Sequence, residues 1–375
     1  MTSVGAIPPR PMFSAKKPNS IVGLDIESGS IAATELSANG SHSISRTAIA
    51  PLPPGVVNEG EVQDAAALSE ALRSLFAKNK LGKAVRVGVA NQRVVVRTMR
   101  LPLIEDATER ETAIRFQAQD QIPMPLDQAV LDHQVISRET GADGQRQMDV
   151  VAVAARRDMV GALLAALRKA GLRPVGIDLA AFGMIRALAD GNGAGEPALD
   201  TEPAPDTEPA APLTTLYCHF GDVTNLAVAR GEQCLFTRVA PFGLANIAGR
   251  LAEREGISAT DAREWLFDVG VEGSLEEFAE SPGTASAARE VLAEGASKLI
   301  DELRVSLEFY SAQEGAPPIE RVIVCGPGSM ISGLPEQAQA GLGLGLELMS
   351  PAALSHLDGE DAARLTVSYG LALED

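Results

Sequence analysis

Apolar and polar positions alternate along SIVGLDIES (20–28), IAATELS (31–37) and ISRTAIAPL (44–52), a pattern that predicts three consecutive strands. From Asp64 to Lys78 the period changes. Leu68, Leu72, Leu75 and Phe76 then share one face, which predicts a helix, and the buried strand AVRVGVA (84–90) follows. A second block opens with strand VVVRTMRL (94–101). It continues with a helix over Thr108 to Gln121, in which Ile114, Ala118 and Ile122 recur every fourth residue, and then the proline-bracketed IPMP. Strands AVLDHQVI and MDVVAVAA lead to a helix from Arg157 to Ala170, stopped by Gly171 in a position suited to a left-handed cap. Strand LRPVGIDL runs into the helix AAFGMIRAL.

After Asp190 the periodicity disappears. The segment GNGAGEPALDTEPAPDTEPAAP holds the tandem DTEPAPDTEPA and five acids between Glu196 and Glu208, has no lysine or arginine, and reads as a disordered acidic linker between two lobes. Beyond it a hairpin opens at Cys218, with turns at Gly221 and at Arg230-Gly231-Glu232 and a return arm from Cys234 to Val239. The helices ANIAGRLAEREG and DAREWLFDVG follow, then a long helix over Ala285 to Ala312, the strand RVIVCGPGSMISGL and the closing ARLTVSYGLALED. Each lobe therefore begins with strand, glycine turn, strand.

The chain has 375 residues, enough for two domains with separate cores, and 45% hydrophobic content with 4% aromatics fits a soluble α/β protein. No run reaches the roughly 18 apolar residues of a membrane helix, and the first 19 residues lack the apolar core of a signal peptide, so a cytoplasmic protein is expected. A net charge of −18 argues against nonspecific binding to nucleic acid or anionic lipid. Cys218, Cys234 and Cys325 each lie in a strand-like apolar run, as buried reduced thiols do.

Glycine turns at the head of each lobe, with a late strand running into Gly326-Pro327-Gly328-Ser329, are a means of bringing backbone N–H groups close to a phosphate. Their order is that of the actin, Hsp70 and sugar kinase superfamily. Within it the chain resembles the type IV pilus assembly protein PilM family, actin-like relatives of FtsA. The resemblance rests on IVGLDIESGSIAATELS, LPPGVVNEGEVQD, VRVGVANQRVVVRTMRLP, QAQDQIPMPLDQAVLDHQV, RKAGLRPVGIDLAAF, TNLAVARGEQCLFTRVAPFG, ELRVSLEFY and VIVCGPGSMISGL, in family order. It implies a two-lobed actin-like ATPase (ribonuclease H-like) α/β fold with an inserted FtsA/PilM-type subdomain. The expected organisation is a flexible tail over 1–19; a first actin-like domain from 20–94, 173–190 and 355–375; the insert over Val95 to Leu172; the linker over 191–213; and a second domain over 214–354.

The resemblance also assigns a nucleotide cleft. Its phosphate side is Asp25, Ser28, Gly29, Ser30, Gly221 and Thr224, with Asp25 holding Mg2+ through water; its adenosine side is Glu302, Ser306, Gly326, Gly328 and Ser329. The chain departs from the family at four points, one of them Ala32 in place of a lysine after the first turn. Glu27 replaces a turn glycine, and an acid about 4 Å from a phosphate charge costs on the order of 4 kcal/mol at an effective dielectric near 20. His219-Phe220-Gly221 replaces Asp-x-Gly, which leaves Asp222 as the alternative metal ligand, and Ala180 stands where a glutamate orients water. ATP and Mg2+ are therefore expected to bind weakly or not at all, and hydrolysis to be weak or lost. What remains is a cytoplasmic scaffold, peripheral to the inner face of the membrane, in a pilus or related secretion or competence machine. It would receive the cytoplasmic tail of a PilN-like inner-membrane protein at contacts including Gln92 and Arg97, and would self-associate. An active ATPase or kinase of the superfamily and an FtsA-like division protein are the alternatives.

Joining the ends left by deletion of Gly191 to Pro212 with a short Gly/Ser spacer is expected to leave the thermal midpoint almost unchanged, because the segment has little to bury and closure entropy changes slowly with length. Differential scanning calorimetry checks this, and a cooperative loss of fold would show that the segment packs.

Overall fold

The computed structural model describes residues 20–37, 43–140, 144–189, 212–313 and 315–373. The tail over 1–19 and all but the last two residues of the 191–213 linker lie outside them. The first sheet is built from β1 (Ser20–Ile26), β2 (Ser30–Ser37), β3 (Ile44–Pro51), β6 (Ala84–Val89) and β10 (Arg173–Leu179), in the order β10-β6-β1-β2-β3. β1 and β2 pair antiparallel, as do β2 and β3, whereas β6 runs parallel to both β1 and β10. The small hairpin β4 (Val57–Asn58) and β5 (Glu61–Val62) lies between β3 and α1 (Ala65–Asn79). The second sheet repeats the plan with β11 (Thr214–Phe220), β12 (Thr224–Arg230), β13 (Gln233–Ala240), β14 (Arg321–Cys325) and β15 (Glu347–Leu348), ordered β13-β12-β11-β14-β15.

The central strands are buried along nearly their whole length because both faces are covered. On the outer face of the first sheet, α1 and α3 (Arg157–Lys169) bury Leu68, Leu72, Leu163 and Leu167. On the outer face of the second, α5 (Leu244–Glu255), α6 (Ala259–Val269) and α7 (Pro282–Ser311) bury Leu251, Leu266, Leu292 and Leu303. α7 starts three residues before the expected Ala285, since Pro282 at its first turn lacks only an N–H that a helix start leaves unbonded. α8 (Leu334–Leu342) adds Leu334 and Ala338 to the same core.

Between the sheets lie α4 (Ala180–Ala189) and α9 (Gly359–Ala372). α4 packs Met184, Ile185 and Leu188 with Tyr217, Ala227 and Ile323 of the second sheet and with Val367 and Leu371 of α9. α9 rests on the first sheet at Gly23, where a Cβ would lie 1.9 Å from the Ser368 carbonyl oxygen. The two helices cross so closely that a Cβ on Gly370 would lie 1.7 Å from the Gly183 carbonyl oxygen. Arg186 of α4 reinforces the crossing. Its Nε donates to the Gly370 carbonyl at 3.0 Å while its guanidinium pairs with Asp178.

The insert is a three-stranded antiparallel sheet, β7 (Val95–Pro102), β8 (Ala129–Thr140) and β9 (Arg146–Arg156), ordered β7-β9-β8 and covered by α2 (Ala107–Gln121). Its own core is Met99, Leu101, Ile114, Ala118, Met148, Val150 and Ala152. The span expected for it, Val95 to Leu172, also takes in α3, whose apolar face is buried in the first-lobe core instead. Gly171 ends that helix at φ +82°. Of the cysteines, all free, Cys218 and Cys325 are buried and Cys234 is partly buried.

Two glycine substitutions test the packing in opposite directions. Gly370→Ala is expected to cost about 3 kcal/mol or more, since backbone must move to admit the methyl group. Gly161→Ala, in the middle of α3 with nothing within 4 Å of the new atom, is expected to stabilise by about 0.5 to 1 kcal/mol. Urea unfolding of the two variants measures both.

Candidate functional site

The sandwiched α4–α9 layer brings the β1–β2 turn (Glu27 to Gly29) opposite the β11–β12 turn (Gly221 to Val223). The first turn is closed by the Glu27 N–H donating to the Ser30 carbonyl at 2.9 Å. Across the cleft the turns bond to one another: the Gly29 N–H donates to Asp222 Oδ2 at 2.7 Å, and the Asp222 N–H donates to Glu27 Oε1 at 3.0 Å. Glu27 lies so close over Gly221 that a Cβ there would be 2.0 Å from its Oε1. The other Asp222 oxygen pairs with the Arg263 guanidinium from α6. Asp222 is 1% exposed at its side chain and Arg263 15%, so the pair is largely shielded from water.

Arg263 thus faces the Asp222 and Glu27 carboxyl groups, with Asp25 a third carboxyl close to Asp222, and the electrostatics follow from this crowding. Burial, then the nearby Asp222 charge, pushes the Asp25 carboxyl up to about 7 against a backbone hydrogen bond that lowers it. Glu27 is driven well above the usual carboxylate range by burial and by Asp222 and Asp25, with Arg263 opposing. Burial also holds His219 down to about 4, only partly countered by Asp222, so its ring is neutral at pH 7. Its Nε2 finds no hydrogen-bond partner among the described residues. The ring wedges between Gly221 and Gly326, leaving no space for a Cβ at either.

The expected phosphate-side residues meet here. Asp25 and Ser28 line the cleft with Glu27, Ala180, His219 and Asp222, and Ser30 is buried at the head of β2. Thr224 begins β12, but its N–H and hydroxyl both donate to the Phe242 carbonyl, at 3.1 and 2.7 Å. The turn at Gly326 (φ +85°) closes on itself, with Ser329 donating its hydroxyl and N–H to the Gly326 carbonyl at 2.7 and 3.0 Å, and Gly328 pressed against Phe220. Glu302 and Ser306 are not brought to that turn. Glu302 pairs with Arg238 of β13 at 3.3 Å, and Ser306 lines an apolar hollow with Leu216, Phe236 and Tyr310.

These residues do not fit magnesium-ATP. The cleft retains about 20 Å³ of room, on the scale of a water, and two of the turn N–H donors, those of Gly29 and Asp222, already hold carboxyl oxygens. Asp222, the alternative metal ligand, has both oxygens engaged, and among the described residues no group of three or more His, Cys, Asp or Glu side chains is placed to hold a metal. Ala180 faces the cleft with no group to orient water. Sequence reasoning missed Arg263, which reads as an ordinary polar position in DAREWLFDVG. Its signal was the demand for a cation near several buried acids, which a sequence states without saying which arginine answers it.

Since the native state holds the Asp25 proton more tightly than the unfolded chain, stability falls as pH rises from about 4 to about 7, and the full cost remains above that window. Asp25→Asn is therefore expected to raise stability on the order of 2 kcal/mol at pH 8, with the gain fading toward pH 4. Arg263→Gln, which leaves Asp222 buried without its cation, is expected to cost about 3 to 5 kcal/mol. Denaturant unfolding over a pH series reads both.

Comparison with known proteins gives the site its setting. The sequence profile of the family described as type IV pilus assembly protein PilM matches residues 23–375. Among solved structures, a chain of a PilM-PilN type IV pilus biogenesis complex superposes with a TM-score of 0.74 at 27% identity, covering 94% of this chain and 97% of that one. The ethanolamine utilization protein EutJ from Carboxydothermus hydrogenoformans matches at 15% identity and a TM-score of 0.52, over 95% of this chain and 90% of its own, which shows a shared actin-like fold. With the profile spanning both lobes and the insert, the chain belongs to the type IV pilus assembly protein PilM family.

Proposed function

We propose that this protein is a binding scaffold of a type IV pilus or related secretion or competence machine, and that it receives the cytoplasmic tail of a PilN-like inner-membrane protein without turning over nucleotide. The reading rests on one observation above the rest. The Gly29 and Asp222 N–H donors of the two facing turns are filled by Asp222 and Glu27 of the same chain, in a fold similar over 94% of its length to a chain of a PilM-PilN type IV pilus biogenesis complex. Among the described residues no helix is long and apolar enough to cross a membrane, so attachment to the inner face of the membrane would come through the partner.

A tail binding between the insert and the first lobe needs only edge hydrogen bonds and a few seated side chains. Gln92 and Arg97 are the proposed contacts. Both are exposed; Gln92 sits in the turn before β7, its amide 3.4 Å from Glu59 of the β4–β5 turn, and Arg97 projects from β7 with its guanidinium on the Val96 carbonyl at 2.8 Å. Micromolar affinity suffices for a tail already held at the membrane, since tethering raises its effective concentration.

A synthetic peptide of the cognate partner's tail is expected to bind in isothermal titration calorimetry without nucleotide. Gln92→Ala or Arg97→Glu should weaken it about tenfold, a loss near 1.4 kcal/mol, while His219→Gln leaves it within twofold. Phosphate release from ATP should stay at the buffer rate. Peptide binding that requires magnesium-ATP, or turnover abolished by Asp25→Ala, would overturn the scaffold reading.

A further inference from the structure

Two features of the cleft exceed what a closed or vestigial pocket requires. The first is reciprocity. The lobe I turn gives an N–H, from Gly29, to a lobe II carboxylate, and the lobe II turn gives an N–H, from Asp222, to a lobe I carboxylate. The second is the cost borne to achieve it. Glu27 occupies the space over Gly221 in which no side chain fits, and Asp222 is buried with Arg263 brought from α6 to balance it. Desolvated carboxylates are expensive, and they persist in a fold when hydrogen bonds and a counter-charge reward the charged or acceptor oxygen.

Carboxyl and phosphate oxygens are alike as acceptors, and both suit backbone N–H donors at glycine turns. We propose that Glu27 and Asp222 are built-in acceptors, occupying the Asp222 and Gly29 N–H donors of the two turns as the oxygens of a polyphosphate would, so that the chain itself holds its lobes together and keeps soluble polyphosphate out. Glycine at 29 serves the same end. A Cβ there would come within 3.1 Å of Arg263 and 3.4 Å of Asp222, so the turn is shaped to let the guanidinium–carboxylate pair approach. His219, wedged neutral between Gly221 and Gly326, extends the same closure to the third turn. This contact is independent of whether a partner tail binds elsewhere on the molecule.

Amide-resolved hydrogen exchange tests it on the full-length protein, with magnesium pyrophosphate as the probe. In the ligand-free wild type the Gly29 and Asp222 amides should exchange at least a hundredfold more slowly than unprotected ones, and millimolar magnesium pyrophosphate should change neither rate. Glu27→Gly removes the acceptor and opens the turn. Exchange should then rise at least tenfold at both amides, although only Asp222 loses its own acceptor, and calorimetry should detect pyrophosphate binding that the wild type lacks. Glu27→Gln keeps an acceptor oxygen and should stay within threefold of wild type. A rise confined to the Asp222 amide, or no gain of pyrophosphate binding, would show a local hydrogen bond with no hold on the lobes and overturn the proposal. Should Glu27→Gly not unfold cooperatively, the wild type decides alone: unprotected amides, or amides further slowed by pyrophosphate, refute it, and protection indifferent to pyrophosphate supports it.

Discussion

The crossing of α4 and α9 at Gly183 and Gly370 sets the distance between the two halves of the molecule. Because neither glycine leaves room for a side chain, the helices approach to backbone contact, and each lies against a different sheet. A layer that thin places the ends of β1 and β11 within hydrogen-bonding reach of one another. The bonds between the turns exist because the helices beneath them are close.

That proximity creates an electrostatic problem that the rest of the site resolves. Asp25, Glu27 and Asp222 converge where water is scarce, and their mutual repulsion would favour an open cleft. Three devices oppose it. Arg263 supplies one positive charge, backbone N–H groups of the facing turns supply dipoles, and Asp25 is held near the midpoint of its own titration at neutral pH, shedding part of its charge. His219, kept neutral by burial, adds no cation to the balance. The result is a closed site in which both Asp222 oxygens find partners within the chain.

Much of the architecture was legible in the sequence because it depends on periodicity. The repeated strand, turn, strand at Ile21 and at Leu216 marked two similar lobes, and the change from two-residue to four-residue spacing marked most helices within a few residues. The assignment of α3 is different: its apolar face reads the same whether it covers the insert or the first sheet, and only packing against Leu68 and Leu72 decides between them. At the site, Glu27, His219 and Ala180 could be recognised as departures from the family turns, since those are questions of residue type. Their meaning could not. Glu27 reads as a repulsive acid beside a phosphate, whereas in the folded chain it is an acceptor for Asp222, and that role exists only once residues 195 positions apart are side by side. Glu302 and Ser306 illustrate the converse. A helix position consistent with an adenosine contact turned instead toward Arg238 and an apolar hollow, because a 30-residue helix presents several faces and the sequence does not say which neighbour each will meet.

The pairing of Gly29 with Asp222 has a consequence for how such a protein meets its surroundings. A diffusible ligand occupies a cleft in proportion to its supply, so a fold closed by one reports on metabolism whether or not that suits the assembly it serves. A carboxylate carried by the chain is never diluted, and its local concentration is set at the moment of folding. On the proposed reading, closure is a property of the polypeptide, inherited with the sequence and independent of the supply of any diffusible ligand.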